Sequence, residues 1–267
     1  NTLIMWEQCE LEPKPFENVK YYFPFINDEN KAYSNSWCNK DKIIERQNNN
    51  KAFNYIYTYK EDKDKIDLLM SNVDDPNFTL QSIMNEIISN KEFESIPDWD
   101  QLISKISEKS QPGQGTTKII PTVSWQRFKR LLGTHIRNSK GIFQGSPSSK
   151  KEKHHVSLSS ELKNIKGNTV FVVDIAEIEE QEKCLVFGDV IRTIYDLKTE
   201  WSENCPKKII IFVDELNKYA PENIKSSPII KDLLEITERG RSLGIILFSA
   251  EQFRSAVHSR VKGNCAT

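Results

Sequence analysis

Asp214 and Glu215 are adjacent carboxylates that directly follow five apolar residues, Ile209-Ile210-Ile211-Phe212-Val213. Two acids placed there suggest phosphoryl chemistry. The first would help hold a Mg2+, a hard cation that takes oxygen ligands, directly or through water. The second would polarise the water that attacks a γ-phosphate. A charge is too costly to bury unless it is paired or metal-bound, so acids that close an apolar run belong at an open strand end. Ligands of open α/β sheets bind at that end. The competing explanation is structural, because acids also favour helix N-termini and Asp-Glu could simply start one. Downstream, Arg239 and Arg241 flank Gly240, and Gln252 follows a second apolar run, 245–248. An arginine reaching a γ-phosphate stabilises transition-state charge and contributes about 10³ to 10⁵ in rate. The same arginines would also suit an exposed helix C-terminus. Gln252 is a candidate for orienting water or contacting the γ-phosphate, or else a solvated loop glutamine.

These side chains need elements to position them. Residues 209–213 suit a strand buried on both faces, as in a parallel sheet. Apolar residues at 229, 230, 233, 234 and 236 fit one face of a helix, 229–237, which runs into a glycine-containing basic turn, 238–244, that carries both arginines. A second apolar strand, 169–175, ends at Asp174 beside the first, and 182–199 has helical spacing. Strand, helix, strand, helix, strand predicts a parallel sheet with right-handed crossovers.

The apolar strand ending in Asp214-Glu215 has the shape of a Walker B motif. Together with Arg239-Gly240-Arg241-Ser242-Leu243-Gly244 and the strand ending in Glu251-Gln252, it resembles the HerA family of hexameric DNA-translocating ATPases, relatives of the FtsK type. The family pattern there is D-E, then R-G-R-x-x-G, then a Thr-Gln pair, so Glu251 is a departure. Residues 14–24, K-P-F-E-N-V-K-Y-Y-F-P, and Asn264-Cys265-Ala266-Thr267, taken as the start of a next strand, extend the resemblance.

The resemblance implies an α/β, RecA-like P-loop NTPase core with a helical insertion. It implies an ATP-hydrolysing motor that uses ATP and Mg2+, assembles as a homo-hexamer and translocates double-stranded DNA. A partner nuclease, or an NAD-hydrolase effector in anti-phage defence, would work with it. By this resemblance Asp214 binds Mg2+ and the nucleotide, Glu215 is catalytic, Arg241 and Arg239 are fingers acting on a neighbouring subunit, and Gln252 is a polar sensor. No G-x-x-x-x-G-K-[ST] loop occurs in the 267 residues, so the resemblance places the phosphate cradle upstream of Asn1 in a longer chain. The alternative is a non-hydrolysing ring scaffold that assembles an effector.

The division this implies is 1–61 as the first part of the core with a polar insertion, 62–145 as a helical insertion, 146–166 as a linker, and 167–267 as the core with the Walker B and arginine region. Within it, 28–51 reads as a polar surface loop, Thr79 as a helix cap, and 66–71, 79–94 and a segment from Pro97 to near Ser110 as helices. Residues 125–136 are amphipathic, with Arg127, Lys129 and Arg130 on the polar side. The net charge of −1, from 37 basic and 38 acidic residues, says nothing about partners. Five cysteines without C-x-x-C spacing fit neither a zinc site nor a disulfide framework, and they suit a reduced, cytoplasmic setting. No apolar run approaches a membrane span. Asp174 reads as a capping residue, His154-His155 and Lys150, Lys151 and Lys153 as a solvated loop. A metal-dependent nuclease would need Asp174, Asp214 and Glu215 to converge.

Overall fold

The computed structural model describes residues 8–10, 12, 16–26, 33, 36, 38–111, 120–138, 141–145, 154–200, 205–224 and 227–265. Elements in chain order are β1 (Val19–Pro24), α1 (Lys40–Asn48), β2 (Ala52–Tyr55), β3 (Tyr57–Thr58), α2 (Tyr59–Asp62), α3 (Ile66–Leu69), α4 (Thr79–Ser89), α5 (Lys91–Glu94), α6 (Trp99–Lys109) and α7 (Thr122–Asn138). Then come β4 (Phe143–Gln144), β5 (His155–Val156), α8 (Leu158–Lys163), β6 (Val170–Val173), α9 (Glu180–Thr199), β7 (Ile209–Asp214), α10 (Pro228–Leu243), β8 (Ile245–Ala250) and α11 (Ser259–Gly263).

The architecture is α/β with parallel sheet and flanking helices. One sheet has the order β5-β2-β1-β6, and β7 pairs with β8 in a separate two-stranded sheet; every one of these pairings is parallel. Alternate side chains of β1 serve different layers, as strand geometry requires. Tyr22 stacks on Phe53 and Phe171 in the main core, while Tyr21 and Phe23 face Ile43 of α1 and Ala52. The alternation β6-α9-β7-α10-β8 is the one the sequence predicts. The neighbourhood differs, because β6 is hydrogen-bonded to β1 and not to β7, so Asp174 does not stand on a strand paired to Asp214.

Helix α9 lies against α3, α8 and α10 and ties the pieces to one apolar core. Two polar nodes lock it there. Arg192 makes a bidentate bond to Asp67 (2.8 and 3.1 Å) and another to Asp232 (3.0 Å). Lys65 is buried between Asp62 (2.7 Å) and Asp189 (2.9 Å). Burial alone would lower the Lys65 pKa, but the two carboxylates outweigh it and raise it.

Several local expectations need correction. The polar stretch 28–51 contains α1: Asn39 accepts from Asp41 N at 2.8 Å as its cap, and a single buried Ile43 anchors it. Helix α4 is capped not by the Thr79 side chain but by Asp75, whose carboxylate accepts from the backbone N–H groups of Thr79, Leu80 and Gln81. The predicted helix 79–94 is two helices broken at Asn90, which caps the second. Asn264 ends α11 instead of opening a strand; Ala266 and Thr267 lie outside the described residues. The helices α3–α7 occupy the stretch expected to be helical, with Trp125, Phe128 and Leu132 buried on the apolar side of α7.

Candidate functional site

β7 and β8 run in register from Ile209↔Ile245 to Asp214↔Ala250, so both strands finish at one level. That brings Asp214, Glu215, Ser249, Glu251 and Gln252 to one carboxyl end. Asp214 is exposed, and its carboxylate makes no hydrogen bond or ion pair among the described residues. Glu215 departs from the strand with φ 53° and ψ 54°, a left-handed conformation that a non-glycine residue holds only when its surroundings impose it. Its N–H still donates to Ala250 O at 3.0 Å, and its carbonyl accepts from Lys218 N at 2.9 Å, closing the 3₁₀ turn 216–218.

Two partners of this turn were not singled out from sequence. Lys218 Nζ lies 2.5 Å from Glu215 Oε2, and that hydrogen bond raises the lysine pKa. The i, i+3 acid–base spacing was the available signal. Glu251, noted only as a departure from Thr, accepts from Asn217 N and from Ser249 Oγ, each at 3.1 Å. In the amide orientation its neighbours require, Asn217 Nδ2 donates to Glu251 Oε2 at 2.9 Å and to Glu215 O at 3.2 Å. Gln252 is exposed beside them.

The arginines sit elsewhere. α10 runs through Gly240 and ends at Gly244 (φ +74°), so Arg239 and Arg241 lie on its last turns and not on a loop after it. Gly240 permits this course, because a Cβ there would stand 3.0 Å from Ile245 O. Gly244 O accepts from Ile209 N, which puts the end of α10 at the foot of β7. Asp214 is five strand steps away, about 17 Å. Within one chain the arginines and the carboxylates therefore occupy opposite ends of the same strip. Arg239 donates to Tyr195 OH at 2.7 Å and stacks over that ring, while Arg241 is exposed and its guanidinium makes no hydrogen bond or ion pair among the described residues.

The expectation that 209–213 is covered on both faces is not met. Ile209, Ile211 and Ile245 are buried against the core, yet Ile210, Phe212, Ile246 and Phe248 line the other face. Phe212 is 78% exposed and stacks on Phe248, itself 51% exposed, at 5.1 Å. An unbroken apolar run carries no record of which face has a cover.

The remaining candidates separate cleanly. Asp174 is buried and engaged: it accepts from Tyr21 OH and from Ala176 N (3.1 Å), and Tyr55 OH donates to its carbonyl at 2.9 Å. It holds the turn after β6 and caps no helix, because the N-cap of α9 is Glu179, which forms a capping box with Glu182. Among the described residues no three His, Cys, Asp or Glu side chains are grouped to hold a metal ion, so the nuclease triad does not form. His155 is a strand residue packed edge-on to Phe25 at 4.2 Å, not part of a solvated loop. Lys150, Lys151 and Lys153 lie outside the described residues, and Arg127 donates to Asp74 O at 2.5 Å. No described helix is long and apolar enough to cross a membrane.

No family model matches the chain, and no curated protein does so either.

Proposed function

We propose that this chain carries the hydrolytic half of a HerA-like, RecA-fold motor ATPase, which assembles as a homo-hexamer, translocates double-stranded DNA and works with a nuclease or an NAD-hydrolase effector. The observation that carries the reading is the end of the β7–β8 strip, where an exposed Asp214, a sharply turned-out Glu215 and Gln252 stand together. An exposed carboxylate at a strand end suits Mg2+, which keeps several waters and takes few protein ligands besides phosphate oxygens. In this reading Asp214 holds the ion, Glu215 takes a proton from the attacking water, and Gln252 orients that water. Arg241, with Arg239 beside it, meets the phosphate bound by a neighbouring subunit. The reading requires a phosphate-binding loop, which these 267 residues do not contain, and the bare apolar face of β7–β8 leaves room for a helix to pack there.

A non-hydrolysing ring scaffold is the second reading. The Glu215–Lys218 ion pair favours it, since the ammonium at 2.5 Å occupies the carboxylate that would have to face an attacking water. The two part in one experiment on the longer protein carrying the loop. Glu215→Gln should bind ATP within about twofold of wild type and lose turnover by about 10²-fold or more. Equal ATPase rates for wild type and Glu215→Gln would remove Glu215 from the mechanism.

A further inference from the structure

Glu215 is the one described residue at the strip's carboxyl end with a left-handed backbone, and something must hold it so. Its own side chain does not, since its carboxylate turns outward to Lys218. The backbone bond to Ala250 O fixes where the turn begins, and Lys218 N fixes where it closes. Between them lies Asn217, and both of its nitrogen donors end on one side chain. Asn217 N donates to Glu251 Oε1, and Asn217 Nδ2 to Glu251 Oε2 while also reaching Glu215 O. Ser249 Oγ, one strand residue earlier than Ala250, donates to the same Oε1 and orients the carboxylate. Three donors thus converge on Glu251 from both strand ends, and charge-assisted bonds of this kind are the stronger ones. A threonine there carries a single oxygen on a shorter side chain and lacks the two carboxylate oxygens between which the Asn217 donors divide.

We propose that Glu251 is a positioning residue: it clamps the turn 215–218 across the ends of β7 and β8, and thereby aims the Glu215 carboxylate. The role in hydrolysis rests on the reading of Glu215 given above, whereas the clamp itself does not. Glu251 touches no reacting atom. It acts through Asn217 and the carbonyl of Glu215.

The clamp is tested on residues 1–267 by amide hydrogen exchange. In Glu251→Ala the amide of Asn217 should exchange at least about tenfold faster than in wild type, as expected for loss of a bond to a charged acceptor. Glu251→Gln keeps one oxygen and should fall between the two. Glu235→Ala, remote from the turn, should change nothing there. Unchanged exchange at Asn217 in a Glu251→Ala protein of native circular dichroism would overturn the proposal; if Glu251→Ala does not fold, Glu251→Gln decides on the same readout. The second arm uses the longer protein with its phosphate loop. There Glu251→Ala should lower kcat by about tenfold or more with the KM for ATP little changed, and Glu251→Gln should recover part of it. An opened turn with undiminished kcat refutes the positioning role. No hydrolysis by wild type at all defeats the ATPase reading, and the exchange arm still settles the clamp.

Discussion

Arg239 and Arg241 are two residues apart on a helix and so point to opposite sides of it. Arg239 is occupied, since its guanidinium donates to Tyr195 OH and reaches Glu235 at 3.5 Å. Arg241 has no such partner among the described residues. The two substitutions should therefore behave differently. Arg239→Ala should cost under about 1 kcal/mol, the scale of an exposed ion pair with a ring contact. Arg241→Ala should leave stability within about 0.5 kcal/mol of wild type. On the proposed ATPase reading, in a protein that joins a phosphate loop to these residues, Arg241→Ala should keep ATP binding and reduce hydrolysis by about 10³-fold. Mixing it with Glu215→Gln subunits should restore activity, because some interfaces then pair an intact arginine with an intact acid. Absence of recovery at every mixing ratio would show that Arg241 does not act on a neighbour.

At the level of elements, the β7–α10–β8 unit depends on how α10 turns into β8. Gly244 makes that turn at φ +74°, with the place of a Cβ only 2.2 Å from Lys207 O. Gly244→Ala combines a left-handed backbone with a backbone clash and should cost about 2 kcal/mol or more. Gly167 has nothing within 4 Å, and Gly167→Ala should be close to neutral; urea denaturation of both variants checks the contrast. This unit was legible in the sequence because its strands are apolar runs and its helix has i, i+3 and i+4 spacing. The carboxylates at its tip were legible for the same reason, as charge that interrupts an apolar run. What local pattern does not carry is pairing. Nothing in 169–175 says that β6 would join β1 in place of β7, and nothing in I-I-I-F-V says that Phe212 would stay uncovered. Helix α1 was hidden by its polar composition, with one buried isoleucine to mark its inner face. The Glu251 clamp needs two strand ends that lie more than thirty residues apart in sequence (|i−j| 34 for the Asn217–Glu251 bond), so only the assembled sheet reveals it.

For the whole molecule, the core is unusually dependent on phenols. Tyr22 gives its hydroxyl to Glu161 at 2.8 Å and Tyr57 gives its own to Asp189 at 3.1 Å, while Tyr55 donates to a backbone carbonyl. Burial first, and then the neighbouring carboxylates, hold all three pKa values well above the ordinary tyrosine range. A group whose pKa is raised by folding adds stability that is complete below its unfolded pKa and is lost as pH climbs toward the folded one. Three such groups should each remove about 1.4 kcal/mol per pH unit above about pH 10. A fold stable by about 5–15 kcal/mol then unfolds within one to a few pH units of that point. Tyrosinate absorbance should rise together with loss of the circular dichroism signal. Ionisation of these tyrosines while the dichroism stays native would contradict their burial.

The strip of β7 and β8 has acids at its head and arginines at its foot, and this polarity restricts the symmetry of any assembly built through it. End to end, a two-fold axis joins acid to acid or arginine to arginine; only with the strips antiparallel and side by side does it pair each head with the other's foot, and that closes a dimer. A head-to-tail contact also joins the unlike ends, but it leaves one of each unused after every addition. Growth through it ends only when the rotation between copies closes a ring, and otherwise continues as a helical filament.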